Sequence, residues 1–269
     1  MIGHEKLKKA IALTFVYITL ILMYVPIIIL IIYSFTESRT IGNWTGFSFQ
    51  LYVNMFADPE IMGALSNSLI IAFASSLLAT AIGTFSAVGI YHLRKAPKVY
   101  MDTVSQITMV NADIVTGIAF MLFFLIIRVI PDGFGTLIIA HTIICIPYVI
   151  MSVTPRLTQL NPNLYEAGLD LGSPPIKTML TVILPQLIPG MIAGFALSFT
   201  LSLDDFVITK FINGDVDTIS TYLYTKIKVK GVQPELRAMS TVILVAIMLI
   251  LVLINVYNKI KKNKNAKGV

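Results

Sequence analysis

Apolar residues in this chain fall in long, nearly unbroken runs, not in the three-and-four or alternating spacing of a water-soluble fold. Six such runs lie at about 10–33, 65–93, 103–127, 134–153, 185–205 and 238–257, with polar stretches between them. A helix needs roughly 20 predominantly apolar residues to cross the hydrocarbon layer. In lipid the backbone must satisfy its own hydrogen bonds, so each run predicts a helix. The predicted fold class is therefore all-α integral membrane, with six transmembrane helices.

The runs differ in detail. The first follows Lys8-Lys9, is longer than a signal-peptide core and has no clear cleavage context after it, so it reads as a retained span with Pro26 as a possible kink. The second belongs to a stretch, Ile61 to Leu93, without any Asp, Glu, Lys or Arg; it exceeds one crossing and predicts an external or interfacial turn at its start. It is rich in small residues, Ala72, Ser75, Ala79 and Gly83 among them, which allow close helix approach. Asn111 and Asp113 interrupt the third run, and Arg128-Val129-Ile130-Pro131-Asp132-Gly133 reads as a turn. Pro147 lies inside the fourth. Gly190 and Gly194 in the fifth form a small-x-x-x-small pair suited to helix packing.

Between the fourth and fifth runs the chain spends residues 156–184 outside the bilayer, where a short turn would suffice. The local grammar is helix–turn–helix. Asn161 can cap a helix that starts at Pro162, Gly172 suits the residue just past its end, and Ser173 can cap a second helix starting at Pro174. Pro185 can open the next span in the same way. Glu166 and Asp170 stand four apart on one face with no local Lys to pair them. The segment is either a docking element or a solvated amphipathic loop on the membrane surface.

Composition agrees with a membrane protein: of 269 residues 56% are hydrophobic and 13% charged, against about 25% charged in soluble domains. The net charge of +6 comes mostly from Lys and Arg that flank the runs, which orients the chain and gives no sign of nucleic-acid binding. The positive-inside rule puts both termini, the Arg94–Lys98 cluster and the 156–184 segment on the cytoplasmic side. This divides the chain into a cytoplasmic N-terminal piece 1–9, a transmembrane domain 10–258 and a basic cytoplasmic tail 259–269. One stretch opposes the rule. Residues 206–234 carry Lys210, Lys226, Lys228 and Lys230 yet fall outside; around Ile219 to Val229 they form an amphipathic piece that is external, re-entrant or interfacial. The lone Cys145 sits in an apolar run and reads as a small buried hydrophobe.

Candidate chemistry is confined to a few acids. There is no Walker motif, no metal-spaced His/Cys cluster and no nucleophile elbow, and His4, His92 and His141 are scattered. No catalytic residue, metal site or cofactor is predicted; the chain reads as a conduit that another subunit must power. Asp113 lies near the middle of the third run, where a carboxylate costs on the order of 3 kcal/mol on insertion scales. It either lines a water-filled path or bonds backbone freed by a break at Asn111-Ala112. Asp204 and Asp205 end the fifth run and either face the same path or simply meet water. Ser198, two turns before Asp205, offers a hydroxyl near that face. Trp44, with Tyr52 behind it, is either a cation–π partner or an interfacial anchor.

Glu166, Ala167, Gly168 and Gly172, followed by Val182, Leu184 and Pro185, resemble the Glu-Ala-Ala-x-x-x-Gly … Ile-x-Leu-Pro loop of ABC importer permeases, with Gly168 and Val182 as departures. The resemblance implies six helices of the type I importer kind and a coupling segment that docks on a cytoplasmic ATPase through Glu166, Ala167, Gly168, Asp170, Gly172, Leu184 and Pro185. The segments 111–115 and 197–205, Pro26 to Leu30, Asn43-Trp44, Lys226 to Val229 and Pro234-Glu235 are similar to the spermidine/putrescine permeases within that family; Ala112 stands where those have Pro. That likeness implies ATP-driven import of polyamines. The partners are then an ATPase dimer that carries ATP and Mg, a second related permease, an external polyamine-binding protein and membrane lipid. Two rivals are a permease for another solute and a proton-coupled secondary transporter that uses Asp113.

Overall fold

The computed structural model describes residues 2–38, 42–127, 131–230 and 233–267, and every regular element among them is helical. In chain order these are α1 (Ile2–Tyr33), α2 (Gln50–Ala57), α3 (Pro59–Tyr91), α4 (Lys95–Val110), α5 (Asp113–Ile127), α6 (Phe134–Gln159), α7 (Asn163–Asp170) and α8 (Pro175–Thr178). A π-helical turn (Met179–Ile183) follows, then α9 (Leu184–Asp204), α10 (Val207–Ile212), α11 (Ile219–Lys230) and α12 (Pro234–Lys267). The turn expected at Arg128-Val129-Ile130 and the side chains of the tail lysines lie outside the described residues.

Four helices among the described residues are long and apolar enough to cross a membrane, and a bent pair makes a fifth. The sixth apolar run lies within the 34-residue α12. Two boundaries differ from the sequence reading. The third run is two helices, α4 and α5, bent by 101° at their junction. Asn111 there is extended (φ −70°, ψ 144°), so the ladder stops. Its side-chain amide donates to Thr116 Oγ1 at 3.0 Å, and the Ala112 carbonyl accepts the Val115 and Thr116 amides. These bonds make the break; the Pro usual at position 112 in the polyamine permeases is not required. Further along, Pro185 stands in the first turn of α9, as expected, but the helical segment does not begin afresh there. The helix starts at Pro175 and runs to Asp204 as one 30-residue segment. Pro185 has no N–H to donate, and the preceding π turn accommodates it: the Leu184 amide reaches back five residues to the Met179 carbonyl.

The chain forms two compact units, residues 1–62 with 225–269, and residues 63–224. In the first, the apolar stretch of α1 contains no fully buried residue. Beyond its end, Phe35 stacks on Phe47 at 5.3 Å, with Phe49 and Tyr52 against them. Buried Arg237 of α12 donates to the carbonyl of Tyr33, left open at the C-terminus of α1, and to that of Ser38 in the stretch beyond it. Lys226 pairs with Glu60.

The second unit is built on α6 and α9. A Cβ on Gly190 would stand 3.1 Å from the Ser152 carbonyl oxygen, and one on Gly194 would stand 3.2 Å from Val149 Cα. The small-x-x-x-small pair therefore sets the distance between the two backbones. Gly83 of α3 is closer still, 2.7 Å from Val149 Cβ. Cys145, Val149, Val153 and Leu187 form the core of this contact. A second core of Ile71, Phe124, Leu137, Ile208 and Ile212 gathers α5 and α10 around α6.

Candidate substrate path and coupling segment

The end of α9 and the break before α5 meet at one cavity. Asp205 leaves the helix (φ −62°, ψ 124°) and turns the chain into α10. Asp113 is the first residue of α5, where the helix dipole favours a carboxylate. Together with Asp204 they line a cavity of about 250 Å³, walled also by Thr108, Thr116, Ile144, Tyr148 and Phe206. No Lys or Arg lines it. Such a site takes a cation that is partly organic: carboxylates for the charge, aromatic faces and apolar side chains for the remainder.

The three acids are not equivalent. Asp113 and Asp204 are exposed to the cavity, and their side chains make no hydrogen bond or ion pair among the described residues. At the break it is Asn111, not Asp113, whose side chain is engaged, with the Thr116 hydroxyl. Asp205 is largely buried and occupied. Its Oδ2 accepts from the Thr209 amide and hydroxyl, both at 2.8 Å, and Oδ1 lies 3.4 Å from the Ile208 amide. From one position before the N-cap Phe206, Asp205 thus accepts amides at the start of α10.

Behind Asp205 lies a residue that the sequence reading passed over. His141 of α6 is 1% exposed, with Nδ1 2.6 Å from Ser202 Oγ and Nε2 3.0 Å from Thr209 Oγ1. Nε2 is also 3.5 Å from Asp205 Oδ2. Ser202 in turn meets Ser75 of α3 at 3.1 Å. The available signal was an ionisable side chain within an apolar run.

Two other candidates lie elsewhere. Ser198 is fully buried against α6, where Cys145 Sγ donates to its carbonyl at 3.4 Å, and it does not wall the cavity. The two-turn rule that aligned it with Asp205 fails because Asp205 is past the last helical residue. Trp44 belongs to the other unit, is 48% exposed and stands edge-on to Tyr33 at 6.2 Å. Tyr52 shares a 2.6 Å hydrogen bond with Ser34.

The coupling segment follows its expected grammar, shifted by one residue at each start. Asn161 Oδ1 accepts the Asn163 amide at 3.0 Å, and α7 begins at Asn163. Gly172 (φ +80°) ends it: its amide donates to the Leu169 carbonyl and the Ser173 amide to that of Gly168, the paired bonds of a Schellman motif. Ser173 does not cap the second helix; Pro174 is extended there and α8 starts at Pro175. Gly168 is buried under Thr178, whose Cγ2 would be 2.4 Å from an added Cβ. The absent methyl lets the two short helices close on each other. Glu166, Ala167 and Asp170 stay exposed, as do Leu171 (89%) and Ile176 (76%). Leu184 is half-buried and Pro185 exposed at the start of α9.

Residues 79–263 match the family described as binding-protein-dependent transport system inner membrane component. The chain belongs to this family: it is a multi-pass permease component of an ABC transport system, and not itself an enzyme. The spermidine/putrescine transport system permease protein PotC of Haemophilus influenzae is 32% identical over 240 residues, 89% of this chain and 93% of that protein. PotC of Escherichia coli K12 is 33% identical over 224 residues (83% and 84%), and its putrescine permease PotI 31% over 235 (84% and 82%). The fold matches a chain of a bacterial ABC transporter involved in import of the acidic polysaccharide alginate, with a TM-score of 0.70, 17% identity and 94% of each chain covered. A chain of the MetNI methionine transporter matches with a TM-score of 0.57 at 17% identity, over 74% of this chain and 95% of that one.

Proposed function

We propose that this chain forms half of the translocation pore of an ATP-driven importer for polyamines of the spermidine and putrescine class. The supporting observation is the cavity where, among the described residues, Asp113 and Asp204 have no partner beside Tyr148 and no basic residue lines the wall. A polyamine is a flexible chain of ammonium groups and methylenes. Carboxylates match the first, and the faces of Tyr148 and Phe206 match both. The names of the relatives point to the same cargo.

Exposed Glu166, Ala167, Asp170, Leu171 and Ile176 form the surface offered to a cytoplasmic ATPase dimer of PotA type, which binds ATP and Mg. A second permease of PotB type completes the pore, and an external binding protein of PotD type delivers the cargo. Both termini face the cytoplasm, and the chain resides in the bacterial plasma membrane. Closure of the ATPase dimer moves α7 and α8. The rigid continuation of α8 through the π turn into α9 carries that motion to Asp204, where the cavity opens to alternate sides.

Reconstitution of the whole complex in liposomes with the binding protein tests this reading. ATP-dependent uptake of labelled spermidine or putrescine is expected. ATP hydrolysis without polyamine uptake removes the cargo assignment. Uptake that follows a proton gradient without ATP would point instead to a secondary transporter.

A further inference from the structure

The hydrogen bonds around His141 have a consistent direction. Ser75, Ser202, His141, Thr209 and Asp205 form one buried chain drawn from α3, α9, α6 and α10. The Thr209 hydroxyl donates to Asp205 Oδ2 at 2.8 Å, so its oxygen accepts from His141 Nε2–H at 3.0 Å. Nδ1 is then bare and accepts the Ser202 hydroxyl at 2.6 Å. Ser75, whose hydroxyl donates to the Ile71 carbonyl at 2.7 Å, stands 3.1 Å from the Ser202 oxygen. A neutral imidazole with its proton on Nε2 lets Nδ1 accept and Nε2 donate, and the donors from His141 onward point toward the Asp205 carboxylate.

This arrangement has a consequence at the cavity. Asp205 Oδ2 is held by the Thr209 amide and hydroxyl and by the nearby imidazole edge, while Oδ1 has only the 3.4 Å contact with Ile208. The carboxylate is held through Oδ2, with its open acceptor capacity on Oδ1. Asp205 lines the cavity, as Asp113 and Asp204 do. The latter two are free to follow a moving ammonium group, and Asp205 is not. We infer that His141 is a positioning residue for the cation site. Through Thr209 it orients Asp205 as the one immobile anion of the path, against which an ammonium group of the cargo is registered. The inference rests on the cationic cargo proposed above.

The chemistry of the imidazole provides a test that separates positioning from general stability. Asn at position 141 retains a group that reaches Ser202 but none at the place of Nε2; Gln retains a donor near Nε2 and loses the partner of Ser202. The assay is ATP-driven uptake of labelled spermidine by the reconstituted complex, with KM and maximal rate measured separately and assembly checked by co-purification with the ATPase. His141→Asn is expected to raise KM about tenfold, the scale of one charge-assisted contact, with little change in maximal rate. His141→Gln is expected to stay within about twofold of wild type. Thr209→Val keeps the shape and removes the linking hydroxyl, so it should match His141→Asn. In an Asp205→Asn background His141→Asn should add nothing.

Equal effects of Asn and Gln at position 141, or additive effects of His141→Asn and Asp205→Asn, would overturn the inference and make His141 a packing residue. If His141→Asn does not assemble, Thr209→Val decides: an unchanged KM overturns the inference. An unchanged KM in His141→Asn itself, with wild-type uptake intact, overturns this inference and leaves the polyamine reading standing. Absence of polyamine uptake in the wild type overturns both.

Discussion

The two ends of α6 hold their neighbours by different means. Toward its C-terminus, Ser152, Val153 and Arg156 approach Gly190 of α9 so closely that an added methyl would sit at 3.0–3.2 Å from them, inside ordinary contact distance. Toward its N-terminus, His141 reaches α9 and α10 through hydrogen bonds that end on a carboxylate at the cavity. The first joint is steric, nondirectional and adjacent to the coupling segment. The second is directional and adjacent to the candidate substrate path. A steric joint transmits displacement because close-packed backbones cannot slide past each other cheaply. A directional joint holds a charge where it is needed. Changes at the first end should therefore alter whether motion is delivered, and changes at the second how well a cation is held.

The largest expected effect lies at the coupling surface. Glu166→Lys reverses the charge of an exposed residue of α7 and should reduce ATP-driven uptake by 100-fold or more, equivalent to at least ~2.7 kcal/mol, with the chain still inserted. Normal uptake by that variant would dissociate α7 from coupling. A smaller effect is expected within the segment. Gly168→Ala adds a methyl 2.4 Å from Thr178 Cγ2, an overpacking cost of about 1–3 kcal/mol. The gain in helix propensity is at most about 1 kcal/mol, so the net sign is destabilising. Thermal stability of the purified complex should fall and should recover in Gly168→Ala with Thr178→Ser, which removes the offending methyl. No recovery would mean that the contact is not the reason for glycine. The smallest effect is expected at the break before α5. Ala112→Pro should shift stability by less than about 1 kcal/mol, because Asn111 already has the extended backbone that a following proline requires. A large loss would show that the Ala112 amide or its φ matters to the break.

The same contrast explains what could be read from sequence. Helical runs, the Gly190/Gly194 contact, the cap at Asn161 and the stop at Gly172 all depend on neighbours a few residues apart, and they stood out at once. So did the coupling motif, whose spacings are local. The cavity end depends on pairs 61, 68 and 127 residues apart, His141–Ser202, His141–Thr209 and Ser75–Ser202. No local pattern announces them. Asp113 and Asp204 were identifiable because a carboxylate in an apolar run is costly, yet their convergence on one wall was not. The misplaced element starts have local causes: Asn111 breaks a helix without help from proline, and a π turn lets Pro185 sit inside one. Ser198 was assigned by extending helical periodicity one residue too far, to an Asp205 that had already left the helix.

The account stands most directly on whether the free carboxylate at the start of α5 contacts a cation. The measurement is uptake of labelled spermidine by the assembled complex carrying Asp113→Asn, with ATP hydrolysis followed in the same vesicles. Asn keeps the shape and removes the charge, so KM is expected to rise about tenfold or more, ~1.4 kcal/mol or greater, with assembly and ATP hydrolysis retained. Unchanged uptake kinetics in an intact complex would contradict the claim and reduce Asp113 to a helix-start residue.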